Sequence, residues 1–181
     1  MCIRDSLYIA RNLIRGEITS YNFQVDLDIL DWGIHPTSSW RKPFNFMIKA
    51  AYARVYANEF LVTGSMTRNV NVFSEPYIVT GFEFPNLRIE TESVLHSTFA
   101  SGEGIAIVLA NIRNITVPAK IRLEEWLLEF LGDKNNIALI LLWESGYSIL
   151  YNSTRLPLTL NLNVPPESIY ILKIVNGEAL K

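Results

Sequence analysis

From residue 60 onward the chain consists almost wholly of short apolar or alternating segments divided by turn residues. The segments "FLVTGSM", "PYIVTGFEF", "LRIETESVLHSTFA", "GIAIVLANI", "AKIRLEEW", "IALILLW", "YSILYN", "LPLTLNLNV" and "SIYILKIV" are set off by "SGEG", "LGDKNN", "ESGY" and "NVPPES". Strands of this length and spacing predict an antiparallel sandwich or barrel. "GIAIVLANI" is apolar nearly throughout, so both of its faces must be covered, whereas "LPLTLNLNV" alternates leucines with Thr159, Asn161 and Asn163 and should wet one face. A two-layer sandwich holds both kinds. The longest unbroken apolar run, "IALILLW" (Ile137–Trp143), falls far short of the ~20 residues that cross a bilayer and reads as a buried strand, with no membrane span expected.

The first sixty residues follow a different pattern. "LYIARNLIRGE" (Leu7–Glu17) spaces Leu7, Ala10, Leu13 and Ile14 as a short helix that stops near Gly16. "YNFQVDLDIL" alternates, with Phe23, Val25, Leu27 and Ile29 on one face and Asn22, Gln24, Asp26 and Asp28 on the other, which predicts a strand with a polar second face. After the loop "DWGIHPTSSWRK", the stretch "PFNFMIKAAYARVYANEF" places Pro43 at a helix start and repeats Phe44, Met47, Ile48, Ala51, Tyr52 and Val55 at helical spacing. The expected fold class is therefore mainly β: an antiparallel β-sandwich over residues 60–181, preceded by a short α/β segment over residues 7–59.

A chain with 49% hydrophobic and 19% charged residues can bury a core. Its net charge is −2 with the cations scattered, which argues against a nucleic-acid partner. Cys2 is the only cysteine, so disulfides are excluded, and no zinc-thiolate or cofactor pattern is legible. The sequons Asn114-Ile115-Thr116 and Asn152-Ser153-Thr154 read as chance occurrences.

Residues 1–6, "MCIRDS", resemble a translated sequencing-library adaptor, since ATG TGT ATA AGA GAC AG followed by one more base back-translates them. That resemblance implies a first native residue near Leu7 and a coding sequence cut short upstream. Localisation is then not readable from the start of the chain.

Two stretches carry a second resemblance. "YARVYANEFLVTGSM", through Phe60, Leu61, Gly64 and Met66, and "VLHSTFASGEGIAIVLANI", through Ser97, Phe99, Gly104, Ile107, Val108 and Asn111, are similar to the helix-to-sandwich junction and central hairpin of an uncharacterised bacterial glycoside-hydrolase-like family. In that family a TIM barrel precedes a β-sandwich. The resemblance spans about Tyr21 to Val175 and implies that residues 7–59 hold the last strand and helix of a truncated barrel. It also implies that the pair of catalytic carboxylic acids lies upstream, so that the fragment itself is inactive and its parent is a glycosidase acting on carbohydrate. The other reading is a non-catalytic carbohydrate-binding or protein-interaction sandwich.

If Phe23–Ile29 is a barrel strand, Asp28, Asp31, Trp32 and His35 line the mouth of the barrel, where such active sites gather. A tryptophan face stacks on a sugar ring and carboxylates accept from hydroxyls. Equally, Asp31 reads as a turn cap and Trp32 as packing. Elsewhere, His96 and Ser97 are neighbours on a strand and so point to opposite faces, which rules out a nucleophile–base pair. "SGEG" reads as a hairpin turn and "EEWLLEF" as a solvated edge.

Overall fold

The computed structural model describes residues 10–11, 13–15, 41–80, 88–131 and 136–177. The predicted strand 23–29 lies outside them. Within them the chain is mainly β and antiparallel, with helix α1 (Arg41–Tyr56) and the short α2 (Asn58–Leu61) leading into eleven strands. Ala10, Arg11, Leu13 and Ile14 are helical as expected.

Six strands form the larger sheet in the order β1 (Ser65–Met66), β5 (Val94–Ser101), β6 (Gly104–Asn111), β11 (Ser168–Asn176), β8 (Ile137–Trp143), β9 (Gly146–Thr154). Three form the smaller, β10 (Leu158–Val164), β7 (Val117–Leu123) and β2 (Asn71–Phe73). β3 (Pro76–Thr80) and β4 (Arg88–Glu92) make a separate ribbon.

The two sheets enclose one core. Ile105, Ile107, Leu109, Leu139, Leu172 and Ile174 of the larger sheet meet Val72, Val117, Ala119, Ile121, Leu123 and Leu160 of the smaller. The opposite face of the larger sheet is not in water. Phe99, Ala106, Val108, Ala110, Ile169 and Ile171 pack there against Ala10, Leu13, Phe46, Ala50, Ala53, Ala57, Phe60 and Leu61. β6 is buried at every position because it lies between the second sheet and this helical layer. β7 and β10, in the outer sheet, keep the alternation that their sequences predict.

Helix α1 differs from expectation in which side it buries. Phe46, Ala50 and Ala53 turn inward, while Ile48, Tyr52 and Val55 of the predicted apolar stripe stay 36%, 47% and 68% exposed. Alanines let the helix axis come close to the sheet, and Ala106 and Ala110 answer them from β6. The helix also starts two residues before Pro43, which keeps proline in the first turn, where its missing N–H costs nothing.

"FLVTGSM" likewise departs from a continuous strand. Phe60 and Leu61 end α2, buried at 1% and 4% exposure, and only Ser65–Met66 pairs with β5. The chain turns so tightly at Gly64 that a Cβ there would lie 2.5 Å from the Phe60 carbonyl oxygen and 2.8 Å from that of Ala100. "LRIETESVLHSTFA" divides at Ser93 into β4 and β5, which belong to different sheets.

The β5–β6 hairpin turns at Gly102-Glu103 and closes with Ser101 opposite Gly104. Gly104 has φ +132°, and a Cβ on it would meet the Ile174 carbonyl oxygen at 2.4 Å. Gly104→Ala is expected to cost about 2–4 kcal/mol, combining backbone strain with a backbone clash, and to lower Tm by roughly 5–10 °C. Gly102→Ala, with nothing within 4 Å, is the control that should melt with the parent. Equal melting of both variants would sink this account.

Candidate functional site

Asp28, Asp31, Trp32 and His35 lie outside the described residues. The described elements build a different concavity, a cleft of about 420 Å³ between α1 and the turns that follow β8 and β10. Its α1 wall carries Asn45, Lys49, Tyr52 and Tyr56; its other wall carries Glu144, Pro166 and Glu167.

The helix period sets the α1 wall, because positions 45, 49, 52 and 56 fall on one side. Tyr52 and Tyr56 are half exposed and stacked, with ring centroids 6.2 Å apart and planes 24° apart. Lys49 ties the two walls together. Its Nζ donates to the Glu167 carbonyl oxygen at 2.9 Å and stands 3.4 Å from Glu144 Oε2. The cleft therefore offers two aromatic faces beside a partly neutralised carboxylate, a set suited to a polar ligand with an apolar face.

Burial raises the pKa of Tyr170 on β11, and the Glu144 charge raises it further. The folded phenol stays protonated above pH ~10, where an unfolded tyrosine ionises. The unfolded state then binds fewer protons than the native one, so this contribution is whole below pH ~10 and is lost as pH rises beyond it. Tyr170→Phe should accordingly melt with a shallower loss of stability between pH 9 and pH 11 than the parent, in a series of about half-unit steps. Identical slopes would show that Tyr170 does not titrate differently on folding.

Among the described residues, further polar groups lie on the sandwich. His96 and Ser97 lie on opposite faces, His96 across from Leu109 and Ser97 across from Val108. His96 Nδ1 is 3.2 Å from Glu92 Oε2 but out of hydrogen-bond alignment. Glu124 accepts from Trp126 Nε1 at 3.2 Å and from Asn71 Nδ2 at 3.1 Å, while the Arg68 guanidinium lies 5.5 Å over the Trp126 ring. "EWLLEF" is a 3₁₀ turn fixed by these contacts.

Sequence spacing alone carries a signal for Tyr52 and Tyr56, four apart on a helix. Glu144 and Glu167 carry none, since only the closing of β8–β9 and β10–β11 brings their turns to α1. Among the described residues no group of histidine, cysteine, aspartate and glutamate is placed to hold a metal ion. Among them, too, no helix is long and apolar enough to cross a membrane. The fold and cleft define a β-sandwich with a helical outer layer. Comparison with protein-family models, with curated proteins and with solved structures returns no match.

Proposed function

We propose that this chain is the C-terminal part of a glycoside-hydrolase-like carbohydrate-active enzyme, an accessory β-sandwich joined to the last helix of a barrel whose catalytic acids lie upstream. The observation that carries the reading is the two-sided character of α1. Its alanine side is sealed against the sandwich, and its second apolar side, Ile48, Tyr52 and Val55, stays open. A barrel helix packs against neighbours on both sides, so an open second side is what such a helix would keep for the strands and helices before it.

The resemblance supports the reading through contact. Its two stretches, far apart in sequence, meet at Gly64 against Ala100, and Phe60 and Leu61 share a cluster with Phe99 and Val108. Sugar cleavage requires two carboxylic acids held about 5–9.5 Å apart, and the reading assigns both to upstream strands.

The coding sequence upstream of Leu7 tests it. Further βα units in frame, ending in carboxylates at strand C-termini, are expected; a start codon at that point would refute the reading. In the full-length protein, Trp32→Ala should raise KM several-fold with a smaller fall in kcat, because stacking binds substrate and transition state alike. Kinetics unchanged by Asp28→Asn, Trp32→Ala and His35→Ala would remove those residues from the sugar site.

A further inference from the structure

The outer face of the smaller sheet carries a second surface that the cleft does not explain. Register places Phe73, Lys120 and Asn161 in one row across β2, β7 and β10, and Asn71, Arg122 and Thr159 in the next. Phe73 is 58% exposed, the aromatic ring of a face that otherwise carries polar side chains and Pro118. Together with the chain at Pro157 and Leu158, the face borders a concavity of about 440 Å³.

The charged side chains on these three strands are cationic, and a carboxylate at the edge of the face, Glu124, accepts from Asn71 and pairs with Arg122. β2, β7 and β10 contain no aspartate or glutamate, in a chain whose net charge is −2. Arg122 Nε reaches Glu124 at 3.7 Å, at the end of β7, whereas Lys120 has no ion-pair partner among the described residues. The row Phe73–Lys120–Asn161 is about 10 Å long, two strand spacings.

We infer that this face binds a polysaccharide bearing carboxylates, a uronate chain, with Phe73 against the apolar face of one sugar ring and Lys120, backed by Arg122, on a ring carboxylate. Asn161 and Thr159 supply the hydrogen-bonding groups for hydroxyls. An uncharged glucan would leave Lys120 without a counter-charge. A polynucleotide is disfavoured because two cations neutralise too few phosphates to hold it at physiological salt. The inference rests on the carbohydrate reading above and names the chemical class of sugar that the sandwich takes.

Affinity electrophoresis of the full chain in native gels tests it, with polygalacturonate, alginate or a neutral soluble glucan cast into the gel. Both acidic polymers should retard the chain and the neutral glucan should not. Phe73→Ala and Lys120→Gln should each weaken retardation about tenfold, a loss equivalent to about 1.4 kcal/mol. Tyr147→Ala, at a 67% exposed tyrosine on β9, should retard like the parent. All three side chains are exposed, so thermal melts that overlay the parent confirm folding.

The inference is overturned by no retardation in either acidic polymer, by equal retardation in the neutral one, or by variants that run like the parent. A single-stranded oligonucleotide that displaces the polysaccharide also overturns it. The reading frame upstream of Leu7 decides the enzyme reading separately. Barrel units there with no retardation would leave that reading standing and remove only this face.

Discussion

Asn111→Asp is expected to destabilise the chain by about 3–5 kcal/mol at neutral pH, more than any other single substitution considered. Asn111 ends β6 in complete burial, and its Nδ2 donates to the carbonyl oxygens of Ile115 at 2.8 Å, Val164 at 2.9 Å and Pro165 at 2.8 Å. Its Oδ1 accepts from the Arg113 N–H at 2.9 Å. One amide thus pins the loop after β6 to the turn after β10. An aspartate would set an oxygen against three carbonyl oxygens, so its folded pKa would rise above the usual ~3.9. The penalty is then smallest below pH 4 and grows as pH rises through that value. Asn111→Ala, which deletes the donors and the Oδ1 acceptor without adding a charge, should cost about 3 kcal/mol with no such pH dependence. Melting across pH 3 to pH 8 separates the two, and parallel curves would contradict the role given to the amide.

Starting the chain at Ala57 is expected to destroy cooperative folding. That truncation removes Ala10, Leu13, Phe46, Ala50 and Ala53 from the outer face of the larger sheet and uncovers Phe99, Val108, Ile169 and Ile171. Each large side chain loses up to ~1.5–3 kcal/mol of burial, so the total rivals the ~5–15 kcal/mol by which a domain is stable. Aggregation, or a soluble form that binds a hydrophobic dye and melts without a sharp transition, is expected. A truncated chain that melts cooperatively within a few degrees of the parent would show that the helical layer is dispensable.

Much of the fold was legible because β patterns are written locally. The alternation in "LPLTLNLNV" is the alternation of β10, and the apolar "GIAIVLANI" is a strand covered on both faces. The "SGEG" turn also reads directly, since Gly102 and Glu103 form the hairpin tip and Ser101 pairs with Gly104. The cleft was less legible. Tyr52 was visible only as part of a helix stripe that suggested burial, and Tyr56 stood outside that stripe. Large apolar residues at helical spacing normally mark the core side, but here the alanines fit the sheet more closely and left the tyrosines outside.

Which residues alternate, where the chain turns, and that its bulk is antiparallel β can be read from the order of amino acids alone, because pleat and turn are properties of neighbouring residues. Long-range packing places β6 between a sheet and a helical layer, and makes Phe60 and Leu61 leave the strand pattern to finish a helix. It likewise sets Phe73, Lys120 and Asn161 in one row. Those outcomes depend on contacts across many tens of residues, and the free energy of burying a face is shared among all the segments that cover it. No local pattern records which segment will do so.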